Sequence, residues 1–273
     1  MSIQLIYTPR KNLPMRVAGF MSGSGTNLIK IIEWTKQLET EKGKSPYEIS
    51  VIFTDNKKSN AGQISEKFNI PLEIFDILDY YKLKGHSDKK DLSLRSGFDS
   101  EIVKILEKYK IDLIALAGYM SIVTKPLLDK YNGKIINVHP ADLSIKTGNK
   151  RKYTGAHAVH DAILAGEKEL HSTTHIVRDK VDYGEILLIS EGISVTIPDK
   201  LYIMDLDKSK EKSLLQEIID KHQDRLKKNG DWKIFPLTLQ YIAEGRFAID
   251  TKGNVYFNNE LCKDNHRLSK ESI

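Results

Sequence analysis

Arg16-Val17-Ala18-Gly19-Phe20-Met21-Ser22-Gly23-Ser24-Gly25-Thr26-Asn27-Leu28 is the stretch on which the fold turns. Arg16–Met21 is a short apolar run and reads as a buried strand. Ser22–Thr26 reads as a turn, and Asn27–Leu38 carries apolar residues at helical spacing. A strand, a glycine turn and an amphipathic helix in immediate succession open a βαβ unit. Glycines in such a turn let the backbone approach an anion, toward which free N–H groups at the helix start point. Ser24, Thr26 and Asn27 add side-chain donors, and any of them could cap the helix. The turn is not a P-loop, since no Gly-Lys-Ser/Thr follows, and Leu28 occupies the last glycine position of a G-x-G-x-x-G fingerprint. A tight turn with a capped helix is the plainer alternative.

Working outward, the alternation continues. Strands over Ile49–Thr54, Leu72–Phe75, Asp112–Ala117 and Lys134–Val138 alternate with helices over Asn60–Phe68, Asp99–Tyr109 and Pro126–Tyr131. The pattern predicts an α/β fold with a Rossmann-like, mostly parallel twisted sheet flanked by helices. Beyond it, Thr173–Val177 and Glu185–Ile189 read as paired strands around a turn at Arg178–Gly184. Helices over Lys212–Lys227 and Phe235–Glu244 precede a hairpin of Phe247–Asp250 and Val255–Asn258. Leu83–Arg95 and Ser144–Thr154 are polar and read as loops, and the tail after Leu261 reads as frayed. The expected organisation is one catalytic domain over 1–248, including a short N-terminal extension at 1–13, then a C-terminal hairpin and tail at 249–273.

Composition narrows the function. The net charge of +5 is dispersed among alternating lysines and acids, which argues against nucleic acid as a partner. Cys262 is the only cysteine, which excludes an intramolecular disulfide and a cysteine-based zinc cluster. No secretory signal is evident at Met1–Lys11, and no apolar run approaches the ~18 residues of a membrane helix. A cytoplasmic protein with no membrane partner is expected.

Ile135-Ile136-Asn137-Val138-His139-Pro140 supplies candidate chemistry. Side chains two apart on a strand share a face, so Asn137 and His139 point the same way, and Pro140 stops the pairing. Both then lie at the carboxyl end of a strand, where open α/β sheets bind ligands. An amide N–H can stabilise an oxyanion, and an imidazole can move a proton near neutral pH. A buried, hydrogen-bonded strand end would carry the same residues. Asp182 could orient His139 or a water, or merely cap its turn. His175 could line the same pocket or sit in the core.

Gly23-Ser24-Gly25-Thr26-Asn27-Leu28, Leu116-Ala117-Gly118-Tyr119-Met120, Asn137-Val138-His139-Pro140 and Val181-Asp182-Tyr183-Gly184 occur in one order. In that order and spacing they resemble the folate-dependent formyltransferases, most of all those acting on glycinamide ribonucleotide. The similarity runs from about Arg16 to Arg246 and implies the formyltransferase fold. It implies transfer of a formyl group from the co-substrate 10-formyltetrahydrofolate to the amine of glycinamide ribonucleotide in purine biosynthesis, without a metal. The resemblance makes Asn137, His139 and Asp182 a catalytic trio supported by His175. Asp182 would hold His139 charged by raising its pKa. The resemblance gives the substrate phosphate to Gly23, Ser24, Gly25, Thr26 and Asn27. It places folate binding at Tyr119, Met120, Ser121, Ile122 and Val123, with Asn137, Lys180 and Asp182, and a folate-tail contact at Arg95. A homodimer is compatible with it. Tyr153-Thr154-Gly155-Ala156-His157 resembles a Tyr-Pro-Gly-Leu-His segment of the family. Ser121 stands where the family usually has an arginine, the Ile145–Lys152 loop is longer than usual, and Lys227–Lys233 reads as an insertion. His222 and Gln223 lie nearest to a family Glu-His pair that reaches the ribose. Rival readings are formyl transfer to a sugar nucleotide, hydrolysis of 10-formyltetrahydrofolate, and a non-catalytic nucleotide-binding module. The last predicts that Asn137, His139 and Asp182 are scattered.

Overall fold

The computed structural model describes residues 2–86, 88, 91–197, 208–263 and 265–268. In chain order the strands are β1 (Ile3–Leu5), β2 (Met15–Met21), β3 (Tyr47–Thr54), β4 (Leu72–Ile74), β5 (Leu113–Leu116), β6 (Ile135–His139), β7 (Lys146–Thr147) and β8 (Lys150–Arg151). They continue as β9 (Glu169–Leu170), β10 (Thr173–Ile176), β11 (Ile186–Ile189), β12 (Ile193–Ser194), β13 (Phe247–Asp250), β14 (Val255–Phe257) and β15 (Glu260–Leu261). The helices are α1 (Thr26–Lys42), α2 (Ala61–Phe68), α3 (Ile77–Leu83), α4 (Arg95–Glu107), α5 (Lys125–Lys130), α6 (Ala158–Leu164), α7 (Lys208–Leu226) and α8 (Trp232–Ala243).

Seven strands form the central sheet in the order β11-β10-β6-β5-β2-β3-β4. The pairs from β6 to β4 are parallel, while β10 runs antiparallel to both β6 and β11. This is the α/β, mostly parallel sheet that the sequence predicts. Side-chain alternation along β2 builds its two faces. Val17 and Met21 join Leu28 and Ile31 of α1 in one core, and Ala18 and Phe20 join Phe98 and Ile102 of α4 in the other. Fully burying a leucine such as Leu28 contributes roughly 1.5–3 kcal/mol. Gly19 makes that packing possible, because a Cβ there would stand 2.4 Å from Leu28 Cδ1. On α1 the buried positions Leu28, Ile31, Ile32, Thr35 and Leu38 keep one face inward, and Gly43 ends the helix in the left-handed region.

Other features depart from the sequence reading. The N-terminal extension carries β1, which pairs antiparallel with β13 and joins β14 and β15 in a four-stranded sheet. The Ser144–Thr154 loop contains the β7–β8 hairpin. Lys227–Asp231 lies within the stretch that reads as an insertion. It forms a π-helical turn that runs α7 into α8 and buries Gly230 and Asp231. Parts of Leu83–Arg95 and of the tail lie outside the described residues. His266, Arg267 and Leu268 run beside β11, with Ile189 N–H donating to the His266 carbonyl (2.9 Å) and Leu268 N–H to the Ile189 carbonyl (2.8 Å).

Candidate active site

Because β6, β5 and β2 are parallel neighbours, their carboxyl ends line one edge. That edge gathers the glycine turn after β2, residues 117–123 after β5 and Pro140 after β6. Backbone and hydroxyl bonds tie the first two together. Ser22 N–H donates to the Gly118 carbonyl (3.0 Å), and Met120 N–H donates to Ser22 Oγ (2.9 Å). Asp55, at the end of β3, accepts from Ser22 Oγ (2.6 Å) and from Ser121 Oγ.

β6 ends at His139, as Pro140 requires, and the antiparallel register sets His175 of β10 opposite Asn137. Asn137 Nδ2 lies 3.3 Å from His175 Nε2. Asp182, in the β10–β11 connection, brings its carboxylate between two imidazoles. Oδ2 is 3.5 Å from His139 Nδ1, and Oδ1 is 3.5 Å from His175 Nε2. Gly155 N–H donates to Oδ2 (2.7 Å). His139 Nε2 sits 3.0 Å from the Tyr153 carbonyl, which only accepts, so that nitrogen carries a proton. Tyr153 and Gly155 thus set their segment directly against His139 and Asp182. Asn137, His139, His175 and Asp182 form one contiguous cluster, the three charged or titratable members being buried.

Electrostatics revise one expectation. Burial pushes Asp182 upward, but hydrogen bonding with His175, the charge of His139 and the Gly155 N–H outweigh it and hold the carboxyl at about 2. Burial lowers the His139 pKa, and although Asp182 opposes this, the net shift is downward. His139 is thus not held charged in the free pocket, because desolvation of the imidazolium exceeds the pull of a carboxylate 3.5 Å away.

The remaining predicted residues divide. Gly23 and Ser24 are exposed at the turn and Thr26 is half-buried. Gly25, with φ 68°, occupies the position before α1, and no side chain caps that helix. Asn27 is turned inward, donating through Nδ2 to Asp231 Oδ2 (3.3 Å), so only its backbone faces the turn. Asp231 also accepts from Ser172 Oγ (2.6 Å). This buried link beneath the glycine turn had no sequence signal. Met120 is 74% exposed at the edge and Ile122 is partly exposed. Tyr119 and Val123 are buried in the core instead, Tyr119 with its ring against Phe20. Arg95, read as a folate-tail contact, is only 2% exposed. It donates through Nε to the Ile122 carbonyl (2.7 Å), lies 3.8 Å from Asp99, and braces the 118–123 loop from below. Lys180 is exposed and its ammonium stands 3.3 Å over the Tyr183 ring. His222 is buried and joins α7 to the chain after β12, accepting from Thr196 N–H (3.0 Å).

Residues 15–221 match the family model described as formyl transferase. The trifunctional purine biosynthetic protein adenosine-3 of Homo sapiens is 29% identical over 246 residues, covering 90% of this chain and 20% of that protein. The chain thus spans about a fifth of the length of the curated relatives it matches. Among solved structures, phosphoribosylglycinamide formyltransferase from Bacillus halodurans is 28% identical, covers 82% of this chain and 93% of its own, and superposes with a TM-score of 0.58. The phosphoribosylglycinamide formyltransferase from Coxiella burnetii shares the fold at a TM-score of 0.64 and 23% identity, over 94% of this chain and 100% of its own.

Proposed function

Because the chain belongs to the formyl transferase family, we propose that it transfers a formyl group from 10-formyltetrahydrofolate to the amine of glycinamide ribonucleotide, a step of purine synthesis. The observation that carries this reading is the convergence of Asn137, His139, His175 and Asp182 on the sheet edge that also bears the glycine turn. A non-catalytic nucleotide-binding module would have no use for that arrangement.

Each group has a task in this reaction. Attack of an amine on a formyl carbon builds negative charge on oxygen and positive charge on nitrogen. The Asn137 amide is the donor for the oxyanion; losing such a donor typically costs ~3–4 kcal/mol of transition-state stabilisation. His139 starts neutral, its Nδ1 facing Asp182, so it can accept a proton there. Asp182 stays ionised at neutral pH and stabilises the imidazolium once formed. His175 fixes the Asp182 carboxylate from the second side. The acceptor's phosphate is assigned to the Gly23–Thr26 backbone, and the folate to the surface around Met120 and Ile122, beside Ser121. Anchoring the phosphate away from the reacting amine uses remote binding energy to orient it.

The test is an acceptor screen with 10-formyltetrahydrofolate, following release of the deformylated folate. Glycinamide ribonucleotide should support turnover. Turnover with water alone, or with an amino sugar nucleotide in preference to glycinamide ribonucleotide, would reject the assignment.

A further inference from the structure

We propose that Arg151 is a positioning residue for Asp182: carried in by the β7–β8 hairpin, its guanidinium grips the turn backbone and fixes the carboxylate between His139 and His175. The inference rests on the function proposed above. Arg151 Nη1 donates to the carbonyl of Asp182, and Nη2 donates to that of Gly184 (2.9 Å). Its backbone N–H donates to Tyr183 Oη (3.2 Å), and its guanidinium lies 5.7 Å from the centre of the Tyr183 ring. One side chain and its own backbone thus hold residues 182, 183 and 184 in succession.

The turn has reason to need such a grip. Asp182 has φ 58°, in the left-handed region that residues with a side chain adopt seldom. Its carboxylate is held by one backbone bond and by contacts at 3.5 Å, which leaves its aim dependent on the backbone. A planar guanidinium bridges two carbonyls in a rigid fork, whereas an ammonium, with rotatable donors on a flexible stem, imposes no fixed spacing. Elsewhere the hairpin makes little contact, for Lys146, Thr147, Gly148, Asn149 and Lys150 are exposed. Arg151, partly buried, is the end of the hairpin that reaches the site.

Arg151 also brings a fixed charge. The groups facing His139 are Asp182 from the β10–β11 turn, His175 from β10, the Tyr153 carbonyl and Arg151 itself. Asp182 and the Tyr153 carbonyl favour the imidazolium, whereas His175 and Arg151 disfavour it. Neutralising Arg151 should therefore let His139 take up a proton at higher pH, which a purely structural role would not do.

The experiment compares Arg151→Met, Arg151→Lys and Asp182→Asn in the full chain, measuring kcat/KM against pH and urea stability. Arg151→Met is expected to lower kcat/KM by about 10–100-fold, on the scale of a 1 Å misplacement, and to move the His139 inflection to higher pH. Arg151→Lys should lose rate similarly while keeping the inflection near its original pH. Should Arg151→Met alter only stability, with wild-type rate and pH profile in the folded protein, the positioning role is overturned. Wild-type kinetics in both Arg151 variants alongside an inactive Asp182→Asn overturns it too, leaving the proposed function standing. An Asp182→Asn variant with near-wild-type kcat/KM removes the catalytic role of Asp182, and with it this inference, whereas wild-type protein inactive toward glycinamide ribonucleotide in the acceptor screen defeats the proposed function itself.

Discussion

Gly184→Ala is a demanding test of the site's geometry. A Cβ at Gly184 would stand 1.8 Å from the Ile176 carbonyl oxygen and 2.8 Å from its carbon. Both obstacles are backbone of β10, so no side chain can swing aside. Ordinary contact begins near 3.4 Å, and the turn must therefore retreat by about 1.6 Å. A shift of that size is more than half the 2.9 Å length of the bond from Arg151 Nη2, and it moves Asp182, two residues away, relative to the Gly155 N–H, so both bonds are expected to be lost. Overpacking costs about 1–3 kcal/mol and two lost bonds roughly 0.5–1.5 kcal/mol each, giving a deficit of about 2–6 kcal/mol. Displacing the carboxylate by an ångström or more should lower kcat/KM by about 10²-fold in the molecules that stay folded. Urea unfolding and steady-state kinetics on the same preparation read both numbers. A variant within ~0.5 kcal/mol of wild type and with near-normal turnover would refute the close approach at Gly184 and the aiming of Asp182 built on it.

Other perturbations probe different parts. Gly23 has open space around it and no positive φ, so Gly23→Ala should leave stability nearly unchanged while raising the KM of glycinamide ribonucleotide. Gly25→Val, by contrast, should destabilise outright, since Gly25 has φ 68° and a Cβ there would meet Ile64 and Met21 within 2.9 Å; urea melts of the two variants should separate them. Asn137→Ala should lower kcat by about 10²–10³-fold with modest change in folate KM, as measured by initial rates. His139, lowered by burial, makes stability fall with pH: between its folded pKa and the unfolded value near 6.5, the unfolded chain binds more protons, so stability drops as pH falls through that window. His139→Gln should flatten that part of the profile in urea melts between pH 8 and 5. Arg95→Met leaves the buried Asp99 carboxylate without its cation and should cost about 3–5 kcal/mol, again by urea unfolding.

The parallel sheet was legible because β2, β3, β5 and β6 are apolar runs bounded by turns, each followed or preceded by a periodic helix. Asn137, His139 and Asp182 were legible through their motifs, and strand periodicity alone sets Asn137 and His139 on one face. Asp182 could be joined to them only by a fold-back that no local pattern encodes. β1 is three residues long and gains its identity from β13, some 245 positions away, so nothing near it marks a strand. Asp231 lies in a polar run that reads as an insertion, and its burial follows from a π-helical turn that side-chain periodicity does not reveal. Arg95 reads as a folate-tail contact only through the resemblance; its burial depends on Asp99 one turn on and the Ile122 carbonyl, partners that the fold supplies.

The segment at 266–268 has a consequence for solubility. β11 is the outermost antiparallel strand, and an uncovered strand edge offers a template on which other chains can pair. The bonds between Ile189 and residues 266 and 268 cover part of that edge from within the same molecule. Arg267 then reaches Asp142 Oδ2 (2.8 Å), two residues beyond Pro140, so the cover is latched to the loop that leaves β6. Cutting the chain before His266 should expose the Ile189 edge and release that loop together, and the protein would be expected to self-associate in light scattering as its activity declines.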